Sequence, residues 1–267
     1  MRKTALALAR AAHAGPALAV TVLSCLLGVA ADLSPSQVAM VTSAVLAGQL
    51  SVGWSNDLRD RARDAAVGRS DKPLANGEVG VSTVRAACAL AVAATVALSL
   101  LCGVLAGAVH LLCVASAWTY NLWLKGTLAS WLPYAVSFGG LPVFVELVVG
   151  SLPPVEVVVG GALLGVAAHL LNVVPDLAQD AATGIRGLPH RLGARTSVVV
   201  AVGLLVTVTG LLLATDTVSG RLDGPVVVVV GATVAVLAVL ALVGSGRVPF
   251  LAAIGIAFTD VMTLVAR

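Results

Sequence analysis

Charged side chains are scarce in this chain. Asp, Glu, Lys and Arg make up 11% of its 267 residues, 59% are hydrophobic, and the mean hydropathy is +1.03. A soluble domain carries roughly 25% charged residues. That deficit excludes a water-soluble fold, because water offers no place to hide so much apolar surface. The solvent of most of the chain is lipid. The net charge of +3 is too small to mark a nucleic-acid partner, despite a pI near 8.9. Cysteine and histidine are scarce too, with four of each. Cys25, Cys88, Cys102 and Cys113 all lie in apolar runs, and no pair has metal-ligand spacing. They read as small packing residues. With the histidines scattered, a zinc or haem site is not expected. No long linker or low-complexity tract interrupts the chain, so residues 1–267 are expected to form a single domain.

Long apolar runs are what the chain has in quantity. A spanning helix needs about 20 apolar residues at about 1.5 Å rise each. Nine segments qualify, near 16–32, 37–55, 83–104, 107–124, 132–150, 156–174, 196–215, 224–244 and 247–265. The expected fold is an all-α integral membrane bundle of about nine helices. Met1-Arg2-Lys3, an apolar stretch and Ala12-His13-Ala14 imitate a secretory signal. Arg10 interrupts that stretch, and the next apolar run begins at Pro16, so a short interfacial helix leading into the first span is expected instead. The 27 glycines and many alanines suit close helix packing in lipid.

Basic residues fix the orientation. With the N-terminus inside, Arg2, Lys3, Arg10, Arg59, Arg61, Arg63, Arg69, Lys72, Arg85, Lys125, Arg186, Arg191, Arg195 and Arg247 all fall in cytoplasmic segments. That is 14 of 16, leaving Arg221 and Arg267 outside. Positive charge collects on the cytoplasmic side. A cytoplasmic N-terminus follows.

Acidic residues are concentrated as well. Seven of the 13 sit in two cytoplasmic connections. Asn56, Asp60 and Asp64 follow the pattern N-x-x-x-D-x-x-x-D, and so do Asn172, Asp176 and Asp180. At an offset of 116 the ungapped match extends from Asn56–Gly77 to Asn172–Gly193, with nine identities in 22 positions, including Gly68/Gly184, Pro73/Pro189 and Gly77/Gly193. This predicts a parallel internal repeat relating helix 2 to helix 6. On an α-helix, positions i, i+4 and i+8 share a face, so each motif predicts a polar stripe at the inner end of a span. Asp57 lies close beside the first stripe, and His169 extends the second toward the membrane.

Two carboxylate stripes facing each other repel unless a cation lies between them. Oxygen-only ligands suit Mg²⁺ or Mn²⁺, and Mg²⁺ binds through carboxylates together with substrate phosphates. Arg69 and Lys72 follow the first stripe, Arg186 and Arg191 the second, and Lys125 ends helix 4. Carboxylates beside cations predict a diphosphate site.

NDLRDRARDAAVGRSDKPLANG, from Asn56 to Gly77, resembles the first motif of UbiA-type intramembrane prenyltransferases. DLAQDAATGIRGLPHRLG, from Asp176 to Gly193, resembles the second, with Pro175 in place of the more usual small or polar residue. No consequence of that proline is expected. Tyr120 to Thr127 is similar to the family's tyrosine-to-lysine segment after helix 4. The resemblance implies a magnesium-dependent enzyme that moves a prenyl group from a prenyl diphosphate to an aromatic or other lipophilic acceptor and releases diphosphate. It implies two bound ions: Asp57, Asp60 and Asp64 hold one, and Asp176 and Asp180 hold the other. Asn56, Asn172, Arg69, Lys72, Tyr120, Lys125 and Arg186 are the implied substrate contacts. Beyond the bilayer and these substrates, no protein partner is inferable. The Ala- and Val-rich composition points to a GC-rich bacterial genome, hence to a plasma membrane.

Several alternatives stay open at this level. A membrane terpene cyclase would ionise the same diphosphate without a second substrate. A transporter fits less well, because the acids lie at one surface. Six of the ten aromatics fall between Trp118 and Phe138, as either an interfacial belt or a shield for a carbocation. His169 is either a base or a bundle histidine. Glu146 and Asp260, near the outer side, are expected to be solvated or paired.

Overall fold

The computed structural model describes residues 2–266. Met1 and Arg267, the latter expected on the outer face, lie outside the described residues. All regular elements among the described residues are helical: α1 (Arg2–Ala11), α2 (Ala14–Ala30), α3 (Pro35–Ala66), α4 (Val81–Leu101), α5 (Val104–Thr119), α6 (Leu132–Leu147), α7 (Val155–Val173), α8 (Leu177–Ala182), α9 (Leu188–Leu192), α10 (Ala194–Val218), α11 (Gly224–Val243) and α12 (Val248–Val265). A π-helical turn, Tyr120–Leu124, follows α5, and 3₁₀ turns occupy Leu128–Trp131 and Val174–Asp176. Eight helices are long and apolar enough to cross a bilayer, and α1 with α2 qualifies as a ninth span, bent by 71°. The chain is a multi-pass membrane protein.

The longest helix carries the first acidic motif. Ser34 caps α3 in a reciprocal box with Gln37, and Pro35 opens its first turn. From there α3 runs 32 residues. At 1.5 Å per residue that is about 48 Å, against a hydrocarbon core of about 30 Å. The surplus lifts residues 56–66 clear of the apolar layer without breaking the helix.

The second motif is built differently. The expected unbroken stripe from Asn172 to Asp180 does not form. Pro175 lacks a backbone N–H and crowds the preceding turn, so α7 stops at Val173, a 3₁₀ turn takes Val174–Asp176, and only the short α8 follows. The proline therefore does have a consequence: it sets a 3₁₀ turn inside the second motif.

Both motifs nevertheless end alike. Gly68 (φ 69°) and Gly184 (φ 83°) take left-handed conformations just past α3 and α8. Arg69 N–H donates to Asp64 O at 3.0 Å, and Ile185 N–H to Asp180 O at 2.9 Å. Gly68 and Gly184 N–H donate to Ala65 O and Ala181 O, each at 3.2 Å. This is the same two-bond helix closure twice, at the 116-residue offset.

Two apolar cores flank the bundle axis. One joins α3, α5 and α6 around Val41, Val45 and Phe144, and the other joins α7, α10, α11 and α12 around Leu170, Leu205 and Ile256. Small residues bring α6 and α7 close. A Cβ at Gly165 would stand against the Tyr134 carbonyl oxygen and 2.8 Å from Phe138 Cβ. Gly203, on α10, faces open space. Gly165→Ala is expected to destabilise the folded protein by about 1–3 kcal/mol through overpacking, whereas Gly203→Ala is expected to be neutral or stabilising by up to ~1 kcal/mol through helix propensity. Thermal unfolding in detergent checks both; equal effects would refute the close approach.

Candidate active site

The acidic face of α3 is buried although it lies at the end of the bundle. Asp57, Asp60 and Asp64 are 2%, 5% and 7% exposed. They are spaced i, i+3 and i+7, one helical face. Asn56, one turn before Asp60, opens this face, but its side chain donates to no carboxylate among the described residues. Asn56 Nδ2 instead donates to Asn121 Oδ1 at 3.3 Å. Asn121 anchors in turn to the Val52 carbonyl at 2.9 Å and Ser55 Oγ at 2.8 Å.

Burying carboxylates is costly unless charge is matched. Lys72 Nζ donates to Asp57 Oδ1 at 2.8 Å, and Lys125 Nζ to Asp60 Oδ2 at 2.9 Å. Arg63, one turn on, reaches the same Asp60 oxygen at 2.5 Å. The π turn places Lys125: its N–H reaches back five residues to Tyr120 O at 3.0 Å. Lys72 is placed by the loop after α3. His13 joins this pair, with Nε2 3.2 Å from Asp57 Oδ1 and 3.0 Å from Lys72 Nζ. Its left-handed backbone (φ 54°) marks the bend between α1 and α2. No motif in the sequence flags His13, because its role exists only once α1 folds back; the Trp54 indole holds it there through Leu8 O at 3.0 Å.

Arg69 joins the two acidic segments. Its Nε and Nη2 each donate to Asp71 at 2.8 Å, and Nη1 donates to Asp176 Oδ1 at 3.2 Å and Gln179 Oε1 at 2.6 Å. The paired bonds from Arg69 hold the Asp71 carboxyl down to about 2 and raise the guanidinium further. The Arg69–Asp71 pair therefore stays charged at any working pH. Asp180 is buried, with His190 Nε2 3.7 Å from its Oδ2. Burial lowers the His190 pKa, and Asp180 works the other way. The Asp176 side chain is 44% exposed. Arg186 is exposed and makes no ion pair among the described residues, so the structure does not bring it to the carboxylates. Asn172 is exposed at the end of α7 and faces Tyr134.

Beneath the carboxylates lies an aromatic floor. Tyr120 meets Tyr134 edge-on at 5.2 Å and His169 at 5.5 Å. Phe138 stacks on Tyr134 at 6.5 Å. His169 is 1% exposed, and its Nε2 lies 3.0 Å from Ser130 Oγ, which accepts the Leu188 N–H at 3.1 Å. So Tyr120, Tyr134 and Phe138 line the interior, whereas Trp123 projects outward and is exposed. The cluster is partly a belt and partly a floor.

The donor set fits a hard divalent cation that shares its shell with phosphate. Asp57 Oδ2 is buried without a hydrogen-bond partner. Among the described residues no three His, Cys, Asp or Glu side chains are grouped closely enough to hold a metal by themselves. Mg²⁺ binds through one or two carboxylates and leaves its other positions to substrate oxygens and water. Arg69→Ala is expected to raise amide hydrogen exchange across residues 67–80 and 177–186 by about tenfold or more, because local opening no longer breaks the clip. Arg186→Ala should leave exchange there unchanged. Equal protection in the Arg69 variant would show that the loops are held by something else.

Comparison with known proteins places this arrangement. The UbiA prenyltransferase family matches residues 17–247. No curated protein matches by sequence. Among solved structures, the apo UbiA homologue of Aeropyrum pernix K1 is similar at a TM-score of 0.75 and 16% identity, covering 92% of this chain and 96% of that one. A UbiA homologue from Archaeoglobus fulgidus bound to GPP and Mg²⁺ gives 0.72 and 14%, covering 97% of each chain. A digeranylgeranylglyceryl phosphate synthase gives 0.62 and 15%, covering 100% of this chain and 96% of that one. The all-helical membrane bundle is thus a known fold, and the chain belongs to the UbiA prenyltransferase family.

Proposed function

We propose that this protein transfers a prenyl group from a prenyl diphosphate to an aromatic or other lipophilic acceptor, with Mg²⁺, at the cytoplasmic face of a bacterial plasma membrane. One observation carries this most strongly: acids from two distant segments gather at one end of a lipid-embedded bundle, each cluster met by a cation. The Archaeoglobus fulgidus homologue with GPP and Mg²⁺ supports the donor and the metal. The cytoplasmic assignment is supported by the 14 basic residues counted on that side. The twin helix closures at Gly68 and Gly184 support a parallel repeat within a single unit of 1–267.

Of Asp57, Asp60 and Asp64, one or two at a time would hold one ion, with substrate oxygens completing its shell, and Asp176 and Asp180 would hold the second; Mn²⁺ would suit the same oxygens. When bound, the metal offsets the charge that grows on the diphosphate as the allylic C–O bond breaks. The remaining work belongs to the protein. Lys72, Lys125 and Arg69 supply N–H donors where the negative charge gathers. Arg186, exposed nearby, would contact the diphosphate only by folding inward. Asn56 and Asn172 orient the ends of the two motifs. Tyr120 and Tyr134 present ring faces and edges to the developing cation. His169 and Ser130 lock the floor beneath them. The apolar bundle excludes water, so the acceptor and not solvent captures the prenyl group.

Chelation is expected to stop diphosphate release, and Mg²⁺ to restore it. Asp60→Ala or Asp176→Ala should lower turnover by at least about a hundredfold with membrane insertion intact. Full activity in either variant, or after exhaustive chelation, would sink the metal assignment. Incubating labelled donor without acceptor should give no cyclised hydrocarbon; such a product would make the protein a cyclase.

A further inference from the structure

Asp260 and His13 take no part in the proposed chemistry. Asp260, on α12, is 3% exposed and neither solvated nor ion-paired, against the expectation from sequence. The Thr209 hydroxyl on α10 donates to its Oδ1 at 2.8 Å, which ties the two helices together. His13 stands out by its backbone. Its φ of 54° and ψ of 53° are left-handed, a conformation that suits glycine and strains most other residues. Among the described residues only His13 and Asp32 have a positive φ without being glycine. Asp32 is exposed, in the turn between α2 and α3. His13 instead turns its ring onto the buried Asp57. The 71° bend between α1 and α2 needs only the backbone conformation, which glycine would supply. The imidazole therefore has a separate reason to be there.

That reason is at Lys72. Its Nζ lies 2.8 Å from Asp57 Oδ1 and 3.0 Å from His13 Nε2, and Nε2 lies 3.2 Å from Oδ1. An ammonium only donates, and it has three N–H groups. One goes to Oδ1, and a second goes to the lone pair of the ring nitrogen. Among the described residues Nζ has no third partner. An ammonium fixed along two N–H directions has its third direction fixed as well. The Lys72 side chain is 14% exposed, so little water competes for these positions. Without His13 the ammonium would turn freely about its bond to Asp57, on a flexible four-carbon stem.

The backbone around His13 is fastened closely enough for this task. Gly53 lies one turn before Asp57 on α3, and a Cβ there would stand on the Ala12 carbonyl. Ala7 packs with Leu74, Val79 and Val84, and Arg10 Nη1 donates to Glu78 at 2.7 Å. So α1 is seated at once on α3, which carries Asp57, and on the segment that carries Lys72. We propose that His13 is a positioning residue for the transfer: its ring nitrogen takes one Lys72 N–H beside Asp57, so that the remaining N–H is presented to a diphosphate oxygen. This role rests on the proposed diphosphate donor.

The test is the affinity of a non-hydrolysable isoprenoid diphosphate of about ten carbons for the full-length protein with Mg²⁺, read by native mass spectrometry. His13→Gly keeps the left-handed bend and removes the ring. Affinity should fall about tenfold, while thermal unfolding in detergent stays at or above the wild-type temperature. His13→Leu, of similar size but without an acceptor, should show the same fall, and it stands in if the glycine variant does not fold. Asp32→Gly, the same backbone change elsewhere, should bind as the wild type does. Lys72→Gln separates positioning from packing, because an amide carries two N–H groups and no third. In that background His13→Gly should cost less than about twofold more. Unchanged affinity in both His13 variants, an equal fall in Asp32→Gly, or the full loss repeated in the Lys72→Gln background would each overturn the positioning role. Absence of wild-type binding would instead overturn the donor itself, and the role of His13 with it.

Discussion

Negative charge buried at the end of a lipid-embedded bundle must be balanced, and much of the local structure follows from that need. Asp57 and Asp60 are almost fully enclosed, so Lys72 and Lys125 are held against them. Each lysine arrives by its own structural device. A left-handed glycine closes α3 and turns the chain toward Lys72; a widened turn after α5 delivers Lys125. Breaking a buried pair by removing one partner typically costs about 3–5 kcal/mol. Local backbone geometry and the electrostatics of the site are therefore one problem, solved together.

The membrane architecture was legible in the sequence because the bilayer is so selective a solvent. Spans longer than the hydrocarbon core announce themselves by length alone, and the expected segments fall on α2–α7 and α10–α12. The helical face that carries Asp57, Asp60 and Asp64 is legible in their spacing. What stayed hidden was tertiary. His13 enters only because α1 folds back on α3. His190 reaches Asp180 from a short helix with no periodic signal. Asp260 had too little local context to show whether water or protein surrounds it. The 3₁₀ turn at Pro175 is a local departure from the repeat, which the matching residues on either side of it do not signal.

That asymmetry divides the site into unequal halves. The α3 acids ride on a continuous helix and are enclosed. Asp176 sits on a 3₁₀ turn, with its side chain 44% exposed, and is tethered through Arg69. In the second segment Asp180 is about as enclosed as Asp64, and Asp176 alone is half open and held by a side chain. Carboxylates with different solvation bind cations with different ease, so the two halves of an approximate repeat are chemically inequivalent.

The widened turn at Tyr120–Leu124 also carries a phase. A π turn holds one residue more than an α turn in the same length of helix, and each residue corresponds to about 100° around the axis. Winding the same residues as a regular α turn would leave the span as apolar as before, yet would swing the Lys125 ammonium around the axis and away from Asp60. Angular bookkeeping in one turn decides whether the lysine meets a carboxylate or hydrocarbon.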